Sequence, residues 1–166
     1  MGEAKYRQDV DGFDYVTNAL MNMVNNYPGL DVDERFEFST VPVEDGMSVV
    51  ASSGSFILEE RESITGHVTQ LCAYPFMVVY RASGLSQKRK IASKEWLDTL
   101  AKWLTRQDVS INGTEHKLEK WPVLTNGRKI MNIERQSPAY LGSINEDKSE
   151  NWVMDLVIQY RNEFDR

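Results

Sequence analysis

Apolar positions along the chain change rhythm several times, and each change marks an element. Phe13, Val16, Leu20, Val24 and Tyr27 recur at helical spacing, with Asp11 as the expected N-cap and Pro28-Gly29 as the stop. Residues 35–41 alternate instead. Phe36 and Phe38 fall on one face and Arg35, Glu37 and Ser39 on the other, the period of a half-buried strand. Residues 47–51 read as a short strand after the Glu44-Asp45-Gly46 turn, and Ser52-Ser53-Gly54 interrupts it before Ser55-Phe56-Ile57-Leu58 resumes. Residues 68–82 alternate at first and are then apolar at successive positions from 73 to 80, which predicts a central strand covered on both faces. Pro75 has no N–H for a ladder and predicts a bulge or an unpaired edge. A basic helix follows over about residues 86–106, its stripe of Leu97, Leu100, Ala101 and Leu104 widened by Trp96 and Trp103.

Asn112-Gly113, set between two short strand-like runs, signals a hairpin, because both central positions of a type I′ turn need positive φ. Residues 129–135 read as a strand with Ile130 and Asn132 opposed to Met131 and Ile133. Residues 136–151, with Pro138, Gly142 and Glu146-Asp147, read as a long mobile loop that orders on assembly. Residues 152–161 then alternate strictly and predict a final strand. Phe56, Tyr74, Phe76, Trp96, Trp103 and Trp152 are expected in the core. The order of elements predicts an α+β fold, a mainly antiparallel sheet with two main helices packed on it. At 166 residues it fits one domain over 1–166, with residues 1–11 as a flexible lead.

Composition is that of an ordinary globular chain, 41% hydrophobic and 27% charged, which excludes wholesale disorder. The charge is divided along the chain. Residues 1–62 carry four Lys/Arg against thirteen Asp/Glu, and residues 84–135 carry eleven against six, within a net charge of −6. A surface with one acidic and one basic region complements a copy of itself head to tail, and such contacts build rings or filaments. Opposite charges can equally pair within one molecule or sit solvated on separate faces. The candidate subunit contacts are Glu59, Glu60, Arg61 and Glu62 on the acidic side and Lys88, Arg89, Lys90 and Lys94 on the basic side, with a solvated surface as the alternative for each. The basic run lacks interleaved aromatic groups, and a pI near 5.0 argues against nucleic acid as the main partner.

Candidate chemistry is sparse. Cys72 is the sole cysteine, which rules out an intrachain disulfide, suits a reducing compartment and places the thiol in core packing. His67, His116 and Cys72 are too few and too scattered for a closed zinc site. Neither a nucleophile elbow nor a phosphate-binding glycine loop occurs, and Ser53-Gly54-Ser55 reads as a turn. Glu59, Glu60 and Glu62 could supply an acid and a base, and Asp31, Asp33 and Glu34 could chelate a cation, but solvated charged loops share that spacing. The first residues lack the apolar run of a signal peptide and no stretch is long enough to span a bilayer, so neither export nor a membrane is expected. No catalytic residue, metal or cofactor is expected.

Several blocks carry a resemblance. They are Ala73-Tyr74-Pro75-Phe76-Met77-Val78-Val79-Tyr80-Arg81-Ala82, Lys94-Glu95-Trp96-Leu97-Asp98-Thr99-Leu100, Val109-Ser110-Ile111-Asn112-Gly113-Thr114, Trp121-Pro122, Ile133-Glu134-Arg135-Gln136-Ser137-Pro138 and Tyr160-Arg161-Asn162-Glu163-Phe164-Asp165-Arg166. With these the chain resembles, over nearly its whole length, the minor capsid or tail terminator (tail completion) proteins of siphophages and prophages from Gram-positive bacteria. None of the blocks is a biochemical motif. The resemblance implies an α+β domain that assembles as a ring, usually a hexamer, capping the finished tail tube and presenting a surface to the head connector. It implies as partners other copies of the chain, the tail tube protein and head connector proteins, in a virion assembled in the bacterial host cytoplasm. It implies no catalysis, no cofactor and no specific nucleic-acid binding, with DNA as a passenger. A head-completion or neck connector protein is the alternative of the same class; a small carboxylate-dependent hydrolase and a DNA-binding accessory are those of other classes.

Overall fold

The computed structural model describes residues 7–39, 45–83 and 87–166. Its elements run α1 (Val10–Val24), β1 (Phe36–Phe38), β2 (Gly46–Ala51), β3 (Phe56–Glu62), β4 (His67–Ala82), α2 (Gln87–Leu104), β5 (Val109–Ile111), β6 (Thr114–His116), β7 (Arg128–Arg135), β8 (Tyr140–Ile144) and β9 (Glu150–Asp165). The fold is α+β, with a mainly antiparallel sheet and two helices. The spine is β4 paired with β9 over sixteen residues each, a length of about 50 Å at the rise of an extended chain. At one end the sheet reads β1-β2-β4-β9-β8 and at the other β3-β4-β9-β7, and only β1 and β2 run parallel.

Pro75 explains the split. In an antiparallel ladder a residue's N–H and C=O point at the same neighbour. The Pro75 carbonyl accepts the Ser52 N–H at 3.1 Å, so its missing donor faces the break between β2, which ends at Ala51, and β3, which starts at Phe56. Its other side stays in unbroken register with Val157 of β9.

Both helices pack on one face of the sheet. Cys72, Tyr74, Phe76 and Val78 of β4 oppose Tyr160, Ile158, Leu156 and Met154 of β9, and all join the core with Val16 and Leu20 of α1 and Leu97, Leu100, Ala101 and Leu104 of α2. The buried Tyr74 hydroxyl is satisfied by Thr17 Oγ1 at 2.8 Å, and its ring stacks on Phe13. On the opposite face Leu71, Pro75, Met77 and Val157 are half-buried while Ala73 and Val79 are buried, all outside this core. The expectation of a strand covered on both sides therefore holds only in part, because both helices lie against one face. Phe56 shares the open face opposite Ala73 and is half-buried, a second correction; Trp103 is buried, and Trp96 and Trp152 pack against the core from its margin.

Five local expectations change. Asp9, not Asp11, caps α1, accepting the Gly12 N–H at 3.2 Å. The helix stops at Val24, because the Asn26 and Tyr27 N–H groups reach back only three residues and the Asn25 side chain turns away to accept the Phe36 N–H at 2.7 Å. In β7 a bulge between Ile130 and Asn132 puts Ile130 and Ile133 on the same buried face and leaves Met131 exposed. Residues 136–151 are not a mobile loop, since they hold β8 and a tight turn in which Asn145 donates its N–H to Ser149 O at 2.8 Å. The lead is bound from residue 7 onward: Asp9 N–H donates to Ser55 O and Ile57 N–H to Arg7 O, each at 2.8 Å. The Asn112-Gly113 turn has φ of 51° and 80°, as type I′ requires. The expected N-terminus of α2 near Ser86, residues 40–41 of the first strand pattern and Glu44 of the following turn lie outside the described residues.

Candidate assembly surfaces

Glu59, Glu60, Arg61 and Glu62 line β3, exposed at the sheet end where β4 begins. Their charges are compensated within the chain. Arg61 pairs with Glu59 at 2.6 Å, Arg7 with Glu60 at 2.8 Å, and Arg166 reaches Glu62 at 3.4 Å and Glu60 at 3.7 Å. The Gln70 amide and then Arg7 hold the Glu60 carboxyl below the usual carboxylate range. No local pattern announces this, because Arg7 and Arg166 come from opposite ends of the sequence.

The basic cluster sits on the first half of α2. Lys90 ties the helix to Glu150 of β9 at 3.2 Å, and Lys94 pairs with Asp98 at 2.8 Å. Asp98 also takes Arg135 of β7. Burial alone would raise the Asp98 carboxyl, but the bonds from Lys94 and Arg135 outweigh it and lower it. Lys88 and Arg89 are exposed on the first turn. Glu62 stands opposite Val68 and Glu150 opposite Ala82, so the two clusters lie at opposite ends of β4.

The sheet edges are the surfaces the sequence reading missed. Every residue of β8 is exposed, with Tyr140 and Leu141 at 41% and Ile144 at 61% of full accessibility, and its outer side pairs with no described strand. β1 is the edge on the other side of the sheet. Near it Asp31, Asp33, Glu34 and Glu37 make no ion pair with a described residue. The apolar residues of β8 were visible in the sequence, but Pro138 and Gly142 masked them as loop.

The densest polar cluster is buried. Arg128 grips Asp9 with two nitrogens, Nε at 3.0 Å and Nη2 at 2.6 Å, and the Tyr160 hydroxyl donates to Asp9 Oδ2 at 2.7 Å. Both ions are more than nine-tenths buried. Burial raises the Asp9 carboxyl, yet Arg128 and Tyr160 overcome it and hold it below its ordinary value. With Gly12 N–H as a further donor the carboxylate is saturated, which makes it a clasp joining α1, β7 and β9. Cys72, beside Tyr160 in the sheet, has a thiol that burial pushes up to about 11, so it stays protonated and inert at neutral pH.

Among the described residues, no three His, Cys, Asp or Glu side chains group as a metal ion needs. No helix among them is long and apolar enough to cross a membrane. No protein-family model matches the chain, and no curated protein matches it.

Proposed function

We propose that this chain is a structural protein of a tailed phage or prophage virion, a tail terminator or minor capsid protein that closes into a ring at the tail end or head–tail junction. The observation that carries this reading is the exposed β8 edge, whose outer side pairs with no described strand, on one side of a sheet that ends in β1 on the other. β1 runs in the direction of β9, because β1 parallels β2, β2 opposes β4 and β4 opposes β9, whereas β8 opposes β9. A neighbour placed side by side in the same orientation would bring its β8 alongside β1 in the antiparallel sense. In the lower half β3 also runs with β9 and β7 against it, but Gln8 bridges the outer side of β3 at Phe56 and Val123 that of β7 at Lys129.

Two different edges that meet make a heterologous contact, and such contacts close into rings when the rotation permits. An open edge with apolar side chains is otherwise an aggregation hazard, which coverage in an assembly removes. The resemblance of the sequence blocks supplies the kind of ring and its partners: copies of the chain, the tail tube protein and the head connector. The protein acts by shape and contact, without turnover or cofactor, and DNA passes without specific binding.

Native mass measurement and electron microscopy of the purified chain, alone and with tail tubes, test this. Annuli at tube ends are expected. A chain that remains monomeric and leaves tube ends bare overturns the reading.

A further inference from the structure

Between the α1–β1 loop, α2 and the β5–β6 hairpin lies a cavity of about 410 Å³. Its walls combine aromatic rings and carboxylates. Trp96 is the hub, with the Tyr27 ring edge-on at 5.7 Å and the Tyr80 ring tilted at 5.1 Å. Asp31, Glu34 and Glu95 line the same space, and no Lys or Arg among the described residues does. Glu34 is held in place, because its carboxylate accepts the Asp31 N–H at 2.9 Å.

Tyr27 adds a polar group to the wall. The residue is only 3% exposed, and its hydroxyl, which has no hydrogen-bond partner among the described residues, is not sealed from solvent. The hydroxyl end packs over Gly29, another wall of the cavity, where an added Cβ would fall 2.9 Å from Oη. Burial pushes the phenol up to about 12, so it remains neutral. The charged groups that act on Tyr80 are all negative: Glu34, Asp45 and Asp31.

We propose that this cavity binds an organic cation, an alkylammonium or guanidinium group, with its charge against the three rings and its N–H groups on Tyr27 Oη and the carboxylates. Aromatic faces attract cations through their quadrupole, and a planar guanidinium also offers several donors to fixed acceptors. A metal ion is the poorer occupant, since the carboxylates are not grouped as metal ligands. The inference stands apart from ring assembly and is tested without it.

The test is a nuclear magnetic resonance titration of the full chain, read at the Trp96 indole N–H, with ethylguanidinium, n-butylammonium and the neutral isostere N-ethylurea. Saturable shifts are expected with both cations and none with the urea. Glu34→Gln with Glu95→Gln should weaken cation binding about tenfold, and Tyr27→Phe about threefold, with the folded spectrum retained. A blocked peptide with one central arginine separates the two sources of the same chemistry. Tighter binding of the peptide identifies a protein side chain, and tighter binding of the small ions identifies a free amine. Equal response to the urea, or no saturation by either cation up to about 100 mM, a concentration well above a weak millimolar site, overturns the proposal.

Discussion

Replacing Asp9 with alanine removes the carboxylate that pairs with a guanidinium that is 9% exposed. Four donors lose their acceptor: Arg128 Nε and Nη2, the Tyr160 hydroxyl and the Gly12 N–H. Breaking one side of a buried pair costs about 3–5 kcal/mol, because the surviving charge stays desolvated, and loss of the helix cap contributes about 1 kcal/mol of such a total. A loss of about 4 kcal/mol in a chain of this size lowers Tm by about 8–16 °C. The pair itself is isolated by a cycle. Arg128→Met alone strands the carboxylate, and the double variant should recover about 2–3 kcal/mol relative to the sum of the singles. Urea unfolding followed by tryptophan fluorescence measures all four proteins. The dependence on pH has a definite sign. The folded carboxyl lies below its ordinary 3.8, so its stabilisation is fully present above that pH and disappears as pH falls through the depressed folded value. The gap between wild type and Asp9→Ala must therefore narrow in strong acid. Additivity of the two substitutions within about 0.5 kcal/mol, or a gap that does not change with pH, would refute the clasp.

Other consequences are sharp enough to measure. Gly12→Ala should destabilise by about 2 kcal/mol or more despite better helix propensity, because its Cβ would sit 1.9 Å from Asp9 Oδ2 and 2.5 Å from Tyr160 Oη; a neutral or stabilising result in thermal unfolding contradicts the packing. His67 bonds to Asp165 at 2.9 Å, which raises its folded pKa above the ordinary 6.5, assisted by the charges of Asp165 and Glu163. That stabilisation is present below pH 6.5 and is lost as pH rises through the folded value; ring titration by nuclear magnetic resonance should show the raised midpoint, and Asp165→Asn should bring it down. Leu141→Lys with Ile144→Lys places charge on an exposed edge, so monomer stability should change by no more than about 0.5 kcal/mol while ring formation falls; rings of undiminished yield would argue against the β8 edge as the contact.

Much of the secondary structure was legible because its cause is local. Spacing of apolar residues marked both helices, strict alternation marked β9, and Asn112-Gly113 specified its turn. Pro75 even announced the break between β2 and β3, since an absent N–H is a property of one residue. The chemistry of the molecule was less legible. Glu59 to Glu62 and Lys88 to Lys94 stood out as charge runs, yet Arg7, Arg166 and Glu150, which meet members of them, are remote in the chain.

What the sequence determined alone was therefore the rhythm of elements, the α+β class and the buried stripe of each helix, all governed by interactions among near neighbours. Tertiary structure decided which face of the sheet the helices cover, which edges stay open, how Asp9, Arg128 and Tyr160 meet, and that Tyr27, Tyr80 and Trp96 enclose one cavity with three acids. These depend on contacts between residues far apart in the chain, and a one-residue bulge such as that at Met131 can redirect a side chain without leaving a mark in the local pattern.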